Sequence, residues 1–395
     1  MSRPLRVTAV LPALAGGGAE VQMAELLRAL PDFGIECELV TLLSAPVDAD
    51  LHARLGVEHL RHTDLAVATR GGSGQGALRA VRNVVQARSA LAAHLRRSAP
   101  QVVYSRLWYA GVAVASLNRR AHGFAHVANE ENALSNLDDA GPIKRQARVR
   151  VIAQADRWVV PTHGLLREFV GAGAPATAGR VIHNATPLPA ALPPRCGGAA
   201  RFAAMGRLVP AKGFDRLIDA AAQLRDGGAE FTLDIAGEGP ERAALMARIT
   251  ALRLDTHVRL VGFLPDPLAF LLEHDAFVLA SRSEGFANVL AEAMACGLPT
   301  VAFDIDYGPS ELIVPGETGL LIPDGDGAGL VHALKRLATD PELRARYGDA
   351  GRAHATRHFS VASMAEAFAQ TFHDAAALQP QKGGESYVRH PWYRF

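Results

Sequence analysis

The residues best suited to chemistry in this 395-residue chain gather in two stretches of its second half. The first is Gly206-Arg207-Leu208-Val209-Pro210-Ala211-Lys212-Gly213, set between the apolar run 201–205 and the amphipathic run Leu217 to Leu224. An arginine and a lysine five apart on a loop at a strand's carboxyl end can converge on one anion. The planar guanidinium fork and the compact ammonium together suit a diphosphate. Two solvated loop cations would have the same spacing, but lysine is scarce, with only Lys144, Lys212, Lys335 and Lys382 among 41 basic residues. The second stretch runs from Ala280 to Gly297, where Val289, Leu290, Ala293 and Met294 predict a short helix closed by Gly297. Glu284 falls in its entry loop and Glu292 about one turn inside. Free N–H groups from Gly285 to Val289, which include those of Phe286 and Asn288, make an anion site. A carboxylate there would repel phosphate, so Glu284 is expected to accept hydrogen bonds from a hydroxyl-rich group and Glu292 from a ribose diol. Taken singly, Glu284 reads better as a helix-dipole neutraliser and Glu292 as a solvated helix residue, and only the combination favours a ligand.

A third element, Gly16-Gly17-Gly18-Ala19-Glu20, would let backbone approach a phosphate at the tip of a first strand. It lacks the G-x-G-x-x-G spacing of nucleotide dehydrogenases, as do Gly237-Glu238-Gly239 and Gly72-Ser73-Gly74, which disfavours hydride transfer.

These loops need strands to hold them. Residues 5–11 read as a buried strand, and Val21, Met23, Ala24, Leu26, Leu27 and Leu30 then recur at helical spacing. Further short strands are predicted at 36–42, 102–105, 124–128 and 158–160. A proline and glycine concentration at 186–198 has the character of an interdomain connection, after which strands restart at 201–205, 231–236, 258–261, 276–280 and 300–303. Strand alternating with helix predicts an α/β chain of two Rossmann-like doubly wound domains facing a central cleft, with ligands outside the carboxyl ends of the strands. The expected boundaries are 1–185 and 186–377, followed by a disordered tail at 378–395.

Hydrophobic residues at 49% and charged residues at 21% exclude disorder over most of the length. A formal charge of +1 excludes a polyanion binder held by bulk charge, and no nucleic-acid partner is expected. That balance conceals +6 on residues 1–185 and −5 on 186–395. Residues 70–98 hold Arg70, Arg79, Arg82, Arg88, Arg96 and Arg97 and no acid, on a stretch whose Leu78, Val81, Val85, Leu91 and Leu95 suggest an amphipathic helix. Lys144, Arg145, Arg148 and Arg150 form a second cluster. A solvated face would look the same; the functional reading is an anionic membrane surface. Cys37, Cys196 and Cys296 fit neither a disulfide framework nor a metal site, so a reducing, cytoplasmic setting without structural zinc is expected. No apolar run approaches the ~18 residues of a spanning helix. The opening MSRPLR and VTAVLPALA imitate a secretory leader, but Pro12 and the glycine run favour a strand.

In this order and at these distances, the GGGAE loop, GRLVPAKGFDRLI, LDIAGEGPERAAL, VRLVGF, SEGFANVLAEAMACGLPTVAF and GPSELIVPGETGLLIP resemble glycosyltransferase family 4, the retaining GT-B enzymes that use nucleotide sugars. The resemblance runs to about residue 375 and is looser in the N-terminal half. It implies a nucleotide-sugar donor as co-substrate, and neither cofactor nor divalent metal. Arg207 and Lys212 would hold the donor diphosphate and stabilise the leaving nucleotide. Glu284, with Gly285, Phe286 and Asn288 beside it, would contact the transferred sugar, and Glu292 the ribose. Gly17 and Gly18 would close over the phosphates from the opposite domain. Transfer would retain configuration by front-face attack, the departing phosphate oxygen taking the acceptor proton.

Two departures from the family pattern stand out. Ala287 occupies a position where many relatives carry proline, which reads as a small change in loop stiffness. At His126-Val127-Ala128-Asn129-Glu130-Glu131-Asn132, acids stand where many relatives place a histidine near the acceptor. Glu131, or Glu130, is therefore expected to orient the acceptor hydroxyl, and His126 to be a satisfied core histidine. The resemblance implies transfer of a hexose or N-acetylhexosamine, from a UDP-sugar on family frequency, to a glycan or polyprenyl-linked acceptor in cell-surface polysaccharide biosynthesis. The enzyme would then work at the inner face of the cell membrane as a peripheral protein. The stretch Tyr307-Gly308-Pro309-Ser310-Glu311 resembles the variant seen in such enzymes. The alternatives are a GT-B sugar-nucleotide epimerase, which should need further acid/base residues on the sugar, and a non-catalytic nucleotide-sugar-binding subunit, which should lack one of Arg207, Lys212, Glu284 or Glu292. A glycosidase is disfavoured because hydrolases need both carboxylates across one bond.

Overall fold

The computed structural model describes residues 3–14, 18–44, 56, 60–67, 77–135, 141–193 and 198–379. In its first half β1 (Leu5–Leu11), β2 (Ile35–Thr41), β3 (His62–Asp64), β4 (Val102–Arg106), β5 (Ala125–Asn129), β6 (Arg157–Val160) and β7 (Gly179–Val181) form a sheet in the order β3-β2-β1-β4-β5-β6-β7. In its second half β8 (Ala200–Met205), β9 (Phe231–Ala236), β10 (Val258–Gly262), β11 (Ala276–Leu279), β12 (Thr300–Asp304) and β13 (Gly319–Pro323) follow the order β10-β9-β8-β11-β12-β13. Every neighbouring pair is parallel. The strands are apolar on both sides because helices cover both faces. Leu5, Val7, Ala9 and Leu11 pack into one core, while Val10 joins Val40 and Val103 in the core on the other face. Strand order reverses between β1 and β4 and again between β8 and β11, and each reversal opens a crevice at the carboxyl ends.

Each of the ten predicted strands is present, with ends differing by a residue or two. Strands β3, β7 and β13 were not predicted; all lie at sheet edges, and the first two are only three residues long and hold polar residues that leave no continuous apolar run, whereas β13 is apolar but short and closed by Pro323.

The expected second boundary needs one correction. The helix Val361–Ala377, assigned to the second domain, packs on the first sheet. Met364, Phe368, Phe372 and Ala375 share a core with Leu5, Val7 and Val127, and the Phe368 and Phe372 rings lie 5.3 and 5.4 Å from that of Tyr104. Helical periodicity shows that an apolar face exists, but not which of two similar sheets receives it. Of the expected tail, Gln379 donates from Nε2 to Gly123 O, and residues 380–395 lie outside the described residues. Truncating Phe372 to Ala should cost about 3–5 kcal/mol. Hydrogen exchange is expected to quicken in β1, β4 and β5, 240 or more residues away in sequence, and not in β8 to β13.

Candidate active site

The carboxyl ends of β8 and β11, adjacent at the reversal of the second sheet, carry both predicted stretches. Pro210–Lys212 wind a single 3-10 turn that ends at Gly213, φ +65°, where the helix Phe214–Asp226 begins. A Cβ on Gly213 would lie 2.0 Å from the Ala280 carbonyl oxygen, so this close approach is open only to glycine. It brings Lys212 Nζ within 2.7 and 2.8 Å of the two Glu284 carboxylate oxygens, and Ser281 Oγ donates to Oε1 at 2.6 Å. Arg216 fastens the same junction, donating to the Ala280 and Ser281 carbonyls at 2.7 Å each. Arg207 is exposed and makes no side-chain hydrogen bond or ion pair with the described residues. An ammonium with three donors and a carboxylate with spare lone pairs can each keep their mutual contact and still bind a ligand.

The helix Asn288–Ala295 follows Ala287, whose φ of 69° and ψ of 59° are left-handed. That conformation costs an alanine roughly 1–2 kcal/mol. A proline, its φ locked near about −65°, could not adopt this conformation. Glu292, one turn further on, is half-buried with no hydrogen-bond partner among the described residues, and burial pushes its carboxyl up to about 7.

Facing these groups, the first sheet presents Glu131 and Gly18. A Cβ on Gly285 would meet the Glu131 carbonyl oxygen at 2.2 Å, and one on Gly18 would stand 3.2 Å from Asn288 Nδ2. Gly17 lies outside the described residues. Glu131 Oε1 is 2.7 Å from Arg106 Nη2, and its Oε2 accepts from Asn184 Nδ2 at 3.1 Å. Arg106 is fully buried; despite the burial, which opposes charge, the neighbouring Glu131 holds its guanidinium above the usual range.

Two residues expected at the substrate point elsewhere. Glu130 is buried against Arg148, accepting from Nε at 2.9 Å, while Arg148 also donates to the Ala133 and Asn132 carbonyls. The carboxylate thus shapes the loop after β5 instead of lining the cleft. Phe286 is buried too, its ring 5.7 Å from His183 and 5.8 Å from Phe359. His126 is a core histidine, as expected, but only half satisfied: Ser105 Oγ lies 2.8 Å from Nε2, Nδ1 is buried with no hydrogen-bond partner among the described residues, and burial, reinforced by Arg119, pushes the ring down to about 3.

Arg106, Asn184 and Ser281 were missed by the reading of the sequence. Arg106 carried a signal, an arginine closing the apolar strand run Val102 to Ser105. Glu311, read as part of a donor-related stretch, instead caps the opposite domain: its oxygens accept from His163 N at 2.6 Å and Gly164 N at 2.9 Å, at the start of the helix His163–Gly171.

Comparison with known proteins agrees with this geometry. The profile described as Glycosyltransferase Family 4 matches residues 16–188, and that of Glycosyl transferases group 1 matches residues 197–354. The lipopolysaccharide core biosynthesis glycosyltransferase LpsE of Rhizobium meliloti (strain 1021) is 34% identical over 166 residues, 42% of this chain and 47% of its own length. The N-acetylgalactosamine-N,N'-diacetylbacillosaminyl-diphospho-undecaprenol 4-alpha-N-acetylgalactosaminyltransferase of Campylobacter jejuni is 34% identical over 151 residues, 38% of this chain and 40% of its own length. Each match takes in less than half of the relative. Anabaena Alr3699/HepE, solved in complex with UDP and glucose, shares the fold with a TM-score of 0.77 at 20% identity, over 93% of this chain and 99% of that one. The chain belongs to glycosyltransferase family 4 and has the GT-B architecture of two Rossmann-like domains facing across a cleft.

Glu292 sets a pH signature. A carboxyl that folding raises from 4.5 to about 7 stabilises the protein in its neutral form, and that contribution is lost as pH rises through this window. The wild type is expected to lose stability relative to Glu292→Gln between about pH 4.5 and about 7, with a flat difference on either side, in paired thermal melts.

Proposed function

We propose that the protein is a retaining glycosyltransferase that moves a hexose or N-acetylhexosamine from a UDP-sugar to a glycan or polyprenyl-linked acceptor in cell-surface polysaccharide assembly. The observation that carries this reading is the gathering of Arg207, Lys212, Glu284 and Glu292 at and just beyond the ends of two adjacent central strands, directly across from Glu131. Arg207 and Lys212 hold the donor diphosphate, Glu284 accepts from hydroxyls of the transferred sugar, and Glu292 from the ribose diol. The bond from the anomeric carbon to the phosphate oxygen breaks, and the bond to the acceptor oxygen forms on the same face. The acceptor proton passes to the departing phosphate oxygen, and the nucleoside diphosphate leaves with the electron pair. Lys212 and Arg207 stabilise the charge that grows on it. Glu131, anchored by Arg106 and Asn184, retains lone pairs with which to orient the acceptor hydroxyl. The relatives' names support the substrate classes: one acts in lipopolysaccharide core synthesis, one on a diphospho-undecaprenol glycan, and the structural neighbour was solved with UDP and glucose.

The first domain's surface supports a membrane position. Ile143 is 85% exposed beside Lys144 and the exposed Arg145 on the helix Pro142–Gln154. On the helix Ala77–Ser98, Val85 is 55% exposed near the exposed Arg88, whereas Ala87, Leu91 and Leu95 are the buried face. The side chains of Arg70, Arg79 and Arg82 lie outside the described residues, and Arg148 is buried in its pair with Glu130. Apolar side chains standing out among cations suit an anionic lipid face, and among the described residues no helix is long and apolar enough to cross a membrane.

Incubation with a panel of nucleotide sugars, with and without lipid-linked acceptors, should release nucleotide with at least one donor; silence across the panel would end the transferase reading. Lys212→Met is expected to lower kcat by about 10²–10³-fold with that donor. Binding to phosphatidylglycerol vesicles should weaken about fivefold for each of Arg88→Glu and Arg145→Glu. Binding indifferent to both reversals would remove the membrane from the proposal.

A further inference from the structure

Asn184 enters the chemistry above only as an anchor of Glu131, yet it touches both sides of the cleft. It is the third residue beyond β7, where the chain crosses from the first sheet to the second, and it is 4% exposed. Both of its amide protons and one oxygen lone pair are used. Oδ1 accepts from Arg106 Nη2 at 2.9 Å, and Nδ2 donates both to Glu131 Oε2 at 3.1 Å and to Asn288 Oδ1 at 3.0 Å. Glu131 and Arg106 belong to the first domain; Asn288 opens the helix that carries Glu292 and follows the Glu284 loop.

The residues on either side of Asn184 hold it still. His183 Nδ1 donates to the Pro161 carbonyl at 2.8 Å. Gln22 binds Ala185 twice, its Oε1 accepting from the backbone N–H at 2.8 Å and its Nε2 donating to the carbonyl at 2.6 Å. Pro161 and Gln22 both lie in the first domain, and of the hydrogen bonds that Asn184 itself makes, only that to Asn288 reaches the second. A bond of 3.0 Å fails with a displacement of about 1 Å. The Nδ2 protons are the link: one goes to the donor helix and the other to the acceptor carboxylate.

We propose that Asn184 is a positioning residue that couples the two substrates, holding Glu131 in its acceptor-orienting geometry when Asn288, and with it the donor site, is in place. The proposal rests on the roles given above to Glu131 and to the donor helix. It also explains why a buried amide stands at a domain crossing, where any well-packed apolar residue would spare its desolvation.

The test uses the full chain and the tightest binder among UDP, GDP and ADP. In the wild type that nucleotide should slow hydrogen exchange in residues 130–135, across the cleft from its own site. Asn184→Asp keeps the shape and the acceptor for Arg106 but has no proton to donate, and Asn184→Ala removes the amide altogether. Both variants are expected to bind the nucleotide within about threefold of the wild type, to lose the nucleotide-dependent protection of 130–135, and to transfer about 10–100-fold more slowly with any donor and acceptor pair found active. Protection that persists in Asn184→Asp, or is missing in a wild type that binds nucleotide, overturns the coupling. Comparison with Glu131→Gln separates the two ideas. If that variant transfers normally, the acceptor role of Glu131 fails, whereas the exchange pattern still decides the coupling; if none of the three nucleotides binds, the donor reading and this proposal fall together.

Discussion

Two parallel sheets can build one site only if the chain passing between them is held firmly enough for their carboxyl ends to meet, and the crossings at 182–193 and 359–361 supply that restraint. They are tied to one another: Thr186 N donates to the Phe359 carbonyl at 2.7 Å, and Arg352 reaches both Pro189 O and Ala295 O. Around them His183, Phe286 and Phe359 stack ring against ring at 5.5 to 5.8 Å, and burial holds the His183 imidazole below its usual range. A neutral aromatic joint of this kind accepts close packing without a charge to solvate. The approach of Gly285 to Glu131 and the cap that Glu311 places on the helix His163–Gly171 both depend on it. So does the bond between Asn184 and Asn288.

The electrostatics of the cleft follow from that closeness. In the second domain a cation and an anion share one small volume, because Lys212 and Glu284 arrive from different strand ends over a glycine. In the first domain the adjacent Glu130 and Glu131 meet different arginines, one buried with Arg148 in the wall and the other turned to Arg106 at the cleft. Successive side chains of extended backbone leave on opposite faces, which is enough to give two neighbouring glutamates unrelated surroundings. The first shapes a loop and the second remains available to a ligand.

Much of this was legible in the residues themselves. Strands buried on both faces leave short apolar runs, so β1, β4, β8 and β11 announce themselves, and the loops that follow β8 and β11 inherit their places from the topology of a doubly wound sheet. Arg207, Lys212, Glu284 and Glu292 could be placed for that reason. Half-exposed edge strands such as β3 have no comparable pattern. Nor does spacing tell that Phe286, one residue from a cleft glycine, packs into the joint, or that Ala287 turns left-handed.

The sequence alone determined the class of sheet, the number of layers, the order of the loops and which charges lie at the strand ends, because these depend on periodicities of a few residues. Only the tertiary structure decided what the two halves do to each other. Arg106 meeting Asn184, Asn184 meeting Asn288, Glu311 capping a helix of the other domain and the last long helix returning to the first sheet are all contacts between residues 78 to 270 or more positions apart. Such contacts arise from the angle and distance at which two separately folded sheets dock, a property that no local pattern encodes.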